Sequence, residues 1–358
     1  MIKVDDRCRN GATGAAIVVL AFCFGAGVYS FDGQERLEVT EIWTSESVSD
    51  LLLGSVDGLA ETPRGTIWIS DSKAEEVYSI EPGTGTVTQI SQRGEGPGDI
   101  RDADRLAVMP DGNIAVFGLS TVEVLTPDGE YARRVHLAEM VTWPKGFVVL
   151  PSGGFVISGG VFGIDAAIHL FSPEGKLVRS WEDAPPAENF RARMVGAGGA
   201  LFAAEEGLLY SQSAPHRIMQ YDYDPGSWDA NPPRGRMVAQ VHDMITHPND
   251  GVVIESGSGE NWRRSFHPYF PQSRGVFQMD SGHILNVVVF KDDGYSIWQV
   301  FGAPEERVRE SPLLPLVTEG RVDKPYVPWF LCNDGTILAT RLDPTTDIPI
   351  VVRLRINW

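Results

Sequence analysis

The sequence is poor in cysteine, with three in 358 residues. Cys8 and Cys23 lie in the N-terminal 30 residues, which leaves Cys332 alone in the rest of the chain. One cysteine cannot form an internal disulfide, and no cluster of cysteines has the spacing of a zinc site. We predict that the protein has no metal site and no cofactor.

Positive charge is also scarce, because 30 Lys and Arg face 48 Asp and Glu and give a net charge of −18. Such a chain repels nucleic acids and anionic membrane surfaces. We therefore expect no nucleic-acid partner and a monomeric protein.

Only one apolar stretch approaches the length of a membrane segment. It runs from Gly14 to Val28 and follows Lys3, Arg7 and Arg9. This pattern is typical of a secretory signal, although the same segment would also serve as an anchor if it were not cleaved. We interpret residues 1–30 as a signal peptide or N-terminal membrane anchor and predict an extracytoplasmic location, periplasmic or secreted.

Sustained helical periodicity is missing, so helices should be few. Instead, four short turn phrases, each with a proline, recur between apolar runs. Their prolines are Pro82, Pro127, Pro173 and Pro225, at steps of 45, 46 and 52 residues. Tight turns between strands at this period are typical of a β-propeller.

A second repeat, a glycine turn between two apolar strands, runs in step with the first. Its glycines are Gly65, Gly112, Gly153, Gly199, Gly282 and Gly335. The pattern predicts an all-β, six-bladed propeller of four-stranded antiparallel blades, formed by residues 31–358 as one domain. The long interval between Gly199 and Gly282 indicates an irregular sector with an insertion at about 188–275, and seven blades is the alternative.

The ends of the chain predict how the ring closes. The C-terminal unit has only three strands, whereas an extra alternating strand at 36–43 precedes the first hairpin. Pairing of this strand in the last blade would complete the sheet and remove two exposed edges.

The segment Gly94-Glu-Gly-Pro-Gly-Asp99 resembles the phrase that links blades in bacterial six-bladed propellers of the TolB-like or NHL-like type. The resemblance extends over nearly all of the chain after residue 35. It implies an extracytoplasmic propeller and little about activity. The segment lacks the Lys-Ser/Thr of a phosphate-binding loop, so we interpret it as a crossover between blades.

Charged residues recur eight positions before the hairpin glycines, where the first strand of each blade should line the central channel. They are Asp57, Asp104, Lys145, Arg191 and Arg274. The set contains three basic residues and two acidic ones. This argues against a calcium site of the lactonase type, because a hard cation prefers oxygen ligands and is repelled by neighbouring positive charge. The ring favours either a small anionic ligand or a set of ion pairs between blades.

The insertion carries a cluster that alternates aromatic and basic side chains, as a binding lip for a sugar, peptide or protein partner would. Its members are Trp262, Arg263, Arg264, Phe266 and Tyr269. His242, Asp243 and His247 lie in the same sector, but their spacing is not that of a known metal motif.

These features favour a non-catalytic propeller that binds a small ligand or a partner protein at its channel mouth and insertion. The alternative is a lactonase-like or NHL-lyase-like enzyme that works in the channel. That alternative would gain support if three of Asp57, Asp104, His242, Asp243 and His247 met at one point.

Overall fold

The computed structural model describes a β-propeller of six four-stranded blades. Its described residues are 37–48, 51–118, 120–184, 190–204, 207–222, 233–240, 251–256, 263–268, 272–290, 294–303, 313–314 and 316–358. For residues 190, 191, 194, 197, 251–256 and 263–268 the backbone alone is described. The predicted signal segment and the stretch 241–250 with His242, Asp243 and His247 lie outside these ranges.

The first half of the chain forms one strand and then three regular blades, each with its strands in sequence order. The opening strand is β1 (Glu38–Thr44), followed by a 3-10 turn at Ser45–Ser47. Blade 1 contains β2 (Val56–Glu61), β3 (Ile67–Asp71), β4 (Glu76–Glu81) and β5 (Thr86–Ser91). Blade 2 contains β6 (Ala103–Val108), β7 (Ile114–Gly118), β8 (Thr121–Leu125) and β9 (Tyr131–His136). Blade 3 contains β10 (Val141–Val149), β11 (Phe155–Val161), β12 (Ile168–Phe171) and β13 (Leu177–Trp181).

The second half begins with the helix α1 (Phe190–Ala197) and continues with three more blades. Blade 4 contains β14 (Gly199–Ala204), β15 (Gly207–Ser213), β16 (His216–Asp222) and β17 (Gly235–Gln240). A separate hairpin follows, made of β18 (Gly251–Ser256) and β19 (Arg263–Pro268). Blade 5 contains β20 (Gln272–Gln278), β21 (Ile284–Phe290), β22 (Tyr295–Phe301) and β23 (Leu316–Val322). Blade 6 contains β24 (Val327–Leu331), β25 (Ile337–Leu342) and β26 (Pro349–Asn357), with β1 as its fourth strand.

The predicted closure of the ring is confirmed. β1 pairs antiparallel with β26, from Glu38 opposite Asn357 to Thr44 opposite Val352. Ring closure also shows in the contacts of the first strands, since β24 of blade 6 packs against β2 of blade 1. The terminal strands therefore hold the ring together without an exposed edge between them.

The hairpin glycines of five blades occupy the predicted turns. Gly65, Gly112, Gly153, Gly282 and Gly335 all have φ between +76° and +87°. This left-handed conformation is costly for residues with a Cβ atom, which explains why the chain repeats glycine there. The linker phrase also forms a loop between blades 1 and 2, and Arg134 donates to the carbonyl oxygens of Gly96 and Asp99 at 2.9 Å.

Blade 4 departs from the prediction. Gly199 opens β14 instead of forming the turn, because the residues before it form α1. The first hairpin of this blade turns after Ala204. The extra hairpin of β18 and β19 accounts for the long interval in the repeat, so the blade count is six and the alternative of seven is wrong. No helix in the described ranges is long and apolar enough to cross a membrane.

The core lies between neighbouring blades. Phe117 of blade 2 and Phe147 of blade 3 pack with ring centroids 5.6 Å apart, and Phe155 stacks on Phe147 at 6.2 Å. All three side chains are buried. Each sheet thus buries both faces, which stabilises the ring by about 25 cal/mol per Å² of apolar surface removed from water.

Candidate functional site

The first strands of the six blades meet around a central channel. β2, β6, β10, β14, β20 and β24 each contact the next around the ring and contribute to one cavity. Five of these strands contain a break in register with the second strand, and β14 does not. A β-bulge of this kind inserts extra residues and re-aims a side chain. The bulged residues are Asp57, Asp104, Trp143 to Lys145, Arg274 and Trp329.

Glycines next to the bulges let neighbouring first strands approach each other. A Cβ atom on Gly58 would lie 2.8 Å from the backbone nitrogen of Leu106 in the next blade. On Gly146 it would lie 2.7 Å from the nitrogen of Leu201. Such distances are well inside van der Waals contact, so the ring can be this narrow only with glycine at these positions.

Arg105 is the hub of the charged cluster. Its guanidinium is buried and donates to the carbonyl oxygens of Asp57 in blade 1 and of Pro144 in blade 3, the latter at 2.7 Å. It also donates to the carboxylate of Asp104 at 2.6 Å and lies 5.0 Å from the ring centroid of Trp329 in blade 6. One side chain therefore ties together four blades.

The pKa values of the two channel carboxylates are shifted in opposite directions. Burial raises the pKa of Asp57, but Arg105 and hydrogen bonds from Ser72 and Ser55 outweigh it, and the net shift is downward. Burial dominates at Asp104 and raises its pKa despite the adjacent Arg105. Both carboxylates already have a guanidinium as partner, so neither presents a free pair of oxygens to a cation.

Lys145 and Arg274 form the opposite part of the cluster. Both side chains are half-buried, and neither makes a hydrogen bond or ion pair within the described part of the chain. The charge of Arg274, burial and the charge of Arg105 hold the pKa of Lys145 well below its usual range. Burial, followed by Arg105, lowers the pKa of Arg274 to about 10. Side chains from blades 2, 3 and 5 influence one another in this way only if their heads converge near the channel axis.

The cavity between them is small. Arg105, Lys145, Arg274 and Trp329 line it together with backbone and apolar atoms of all six first strands. It offers about 50 Å³ to the centres of water molecules. A single water needs roughly 10–15 Å³ on this measure, so the space fits a few waters or a ligand of a few heavy atoms.

Of the five predicted channel residues, Lys145 and Arg274 line this cavity, and Asp57 and Asp104 lie next to it as ion-pair partners of Arg105. Arg191 instead lies in α1, because blade 4 begins eight residues later than the repeat predicts, and its side chain is outside the description. In the predicted lip, Arg263, Arg264 and Phe266 lie on β19, where only the backbone is described. Trp262 and Tyr269 lie outside the described residues.

Sequence reasoning missed Arg105 and Trp329. Arg105 lies one position after Asp104, and Trp329 lies two positions after Val327, the residues that the spacing of eight selects in blades 2 and 6. A usable signal was present in the pairs Asp57-Gly58, Lys145-Gly146 and Arg274-Gly275, where a charged bulge residue precedes the glycine of close approach. Within the described residues, no three His, Cys, Asp or Glu side chains gather as a metal site would require.

Solved structures share this architecture at low sequence identity. A candidate exported protein from Bacteroides fragilis aligns over 91% of this chain and 97% of its own, with a TM-score of 0.57 and 10% identity. A gluconolactonase from Xanthomonas campestris aligns over 85% and 87%, with a TM-score of 0.51 and 13% identity. Virginiamycin B lyase from Staphylococcus aureus aligns over 89% and 99%, with a TM-score of 0.50 and 13% identity. At such identities the likeness shows the fold alone.

No family model and no curated protein sequence matches the chain. What the site does is therefore argued from its own chemistry.

Proposed function

We propose that this protein is an extracytoplasmic propeller that binds a small anionic ligand, such as a carboxylate, in its central channel. The observation that carries the proposal is the pair Lys145 and Arg274, which line one cavity and form no ion pair or side-chain hydrogen bond within the described part of the chain. Leaving two cations together in a half-buried site is costly, and an anion between them would remove that cost.

The ligand class follows from the geometry of the donors. A guanidinium binds a carboxylate through two parallel hydrogen bonds, and an ammonium adds a compact charge. The cavity volume limits the ligand to a few heavy atoms, which favours a short carboxylate over a sugar acid. The chain carries a net charge of −18, whereas three basic side chains, Arg105, Lys145 and Arg274, line this cavity.

Calorimetry with acetate, lactate and malonate would test this proposal. We expect binding by the wild type, and at least about a tenfold loss of affinity in R274M and in K145M, because a hydrogen bond to a charged group is worth about 1.5–3 kcal/mol. K176M, which removes an exposed lysine of blade 3, serves as the control and should bind as the wild type does. Absence of binding, or equal affinity in all variants, would refute the proposal.

The location and the subtype of the propeller belong to the same proposal. The N-terminal apolar segment and the similarity to a candidate exported protein support an extracytoplasmic site of action. The TolB-like or NHL-like relationship is supported by the linker phrase at Gly94 to Asp99. The lactonase-like or lyase-like alternative is supported by the fold of the structural neighbours. Among the described residues, no cluster of metal-binding side chains adds support to it.

A further inference from the structure

Lys145 differs from the other described lysines, Lys73, Lys176 and Lys324, in its surroundings. It projects from a bulge of β10 toward the channel, where Arg274, Arg105, Asp104 and Asp57 face it from three other blades. Each of the two carboxylates is engaged by Arg105, which lies 2.6 Å from Asp104 and 3.8 Å from Asp57. The amine is thus next to two guanidinium groups and has no carboxylate of its own.

Such an environment raises the fraction of Lys145 in the unprotonated amine form, which is in equilibrium with the ammonium form that would pair with a simple anion. Nearby positive charge and partial burial both disfavour the ammonium ion, which is how proteins convert a lysine into a nucleophile at neutral pH. The hydrogen-bond donors of Arg105 are directed at protein oxygens, whereas the guanidinium of Arg274 is available for a ligand. The cavity therefore combines a nucleophile with a carboxylate receptor.

We propose that Lys145 captures a small 2-oxo carboxylate as a reversible imine while Arg274 binds the carboxylate of the same ligand. This inference rests on the proposed function and adds the substrate class. A 2-oxo acid carries its electrophilic carbon one bond from its carboxylate, so a ligand of five or six heavy atoms can reach both groups. That size agrees with the few water positions the cavity provides.

The step needs no oxidant or reductant. The amine nitrogen of Lys145 attacks the carbonyl carbon, a C–N bond forms, and the carbonyl oxygen takes up a proton as the nitrogen loses one. The resulting carbinolamine takes up a further proton on its hydroxyl, expels water and loses the remaining nitrogen proton. Amine and ketone thus yield imine and one water, and added water reverses the step.

Reductive trapping tests the inference directly. The intact protein is incubated with glyoxylate or pyruvate and cyanoborohydride at pH 7, which reduces an imine to a stable secondary amine, and the modified lysines are mapped by mass spectrometry. We expect modification at Lys145 at least about tenfold faster than at the exposed Lys73 and Lys176, because each unit of pKa changes the amine fraction tenfold. K145Q should abolish the fast phase, and R274M should slow it.

Acetaldehyde, which lacks the carboxylate, and R64M, which changes an exposed arginine and should be modified at Lys145 at the wild-type rate, complete the design. Trapping at Lys145 that is as fast with acetaldehyde as with glyoxylate would overturn the 2-oxo acid assignment. Equal rates of labelling at all lysines, together with carboxylate binding that calorimetry still detects, would overturn the assignment of an imine at Lys145. The proposed function would then still stand.

Discussion

Blades 3 and 4 are neighbours with the same four-stranded order, yet their first strands present different side chains to the channel. β10 of blade 3 is nine residues long and carries three bulged residues opposite one, which places Lys145 in the channel. β14 of blade 4 is six residues long and pairs with β15 without a break. It offers only Ala200 and Leu201 to the cavity. In this pair of blades, the strand with the bulge brings a charged side chain to the cavity and the regular strand does not.

The same comparison explains why the two strands fit together. Ser158 of blade 3 donates to the carbonyl oxygen of Gly199, and Gly146 lies against the backbone of Leu201. The unbroken strand of blade 4 presents a regular edge to this contact. A second bulge there would displace the backbone that Gly146 touches.

The largest effect should come from Arg105, which binds acceptors in blades 1, 2 and 3 and none in blade 4. We expect R105M to lower the free energy of unfolding by about 3–5 kcal/mol, since it leaves the half-buried carboxylate of Asp104 and several carbonyl oxygens without their donor. Urea denaturation measures the loss. R64M, which breaks an exposed ion pair with Asp128, should cost no more than about 1 kcal/mol. Equal losses in the two variants would show that the hub carries no special stability.

Substitutions at Gly146 and at its counterpart Ala200 should differ, by a smaller amount, in their effect on the free energy of unfolding. Each pairs with the serine of the second strand, Ser158 in blade 3 and Ser211 in blade 4. We expect G146A to cost about 1–3 kcal/mol, because its methyl group would clash with Leu201, whereas A200G should cost about 1 kcal/mol through lost burial and added backbone freedom. G83A, in an open turn, is the control. A neutral G146A would mean that the blades can separate without penalty.

The fold was predictable because turn chemistry is local. Gly65 and Gly335 need positive φ, and the sequence shows that need directly. The position of a bulge depends instead on packing between blades, as at Gly146 against Leu201, so the spacing found Lys145 and Arg274 but missed Arg105 and Trp329. Arg191 was placed wrongly because the repeat has no signal that α1 replaces the start of a blade.

Acid should weaken blade 3 and the border of blades 4 and 5 to a similar extent. Burial lowers the pKa of both His169 and His216 to about 4. In the unfolded chain the two histidines bind protons below about pH 6.5, whereas in the folded chain they bind them only below about pH 4. The free energy of unfolding therefore falls as the pH is lowered through this window.

Each histidine should then account for about 2 kcal/mol of the loss between pH 7 and pH 5. H169Q and H216Q should each reduce that loss in urea titrations at the two pH values. H136Q, at an exposed histidine, is the control and should leave the loss unchanged. If only one of the buried histidines reduces it, the two regions do not share the same acid sensitivity.

The last prediction concerns Lys145, the charged bulge residue of blade 3, whose effect on stability should appear at alkaline pH. Arg274, burial and Arg105 lower the pKa of Lys145 in the folded protein, so between that pKa and about 10.4 the unfolded chain holds a proton that the folded chain lacks. Stability must therefore rise with pH in this window. The difference in unfolding free energy between the wild type and K145M should increase as the pH rises toward about 10.4. L201M, at the corresponding part of blade 4, removes no charge, and its difference from the wild type should stay flat. A flat line for K145M as well would mean that the bulge of blade 3 leaves the amine as solvated as any surface lysine, and the distinction between the two blades would then be one of shape alone.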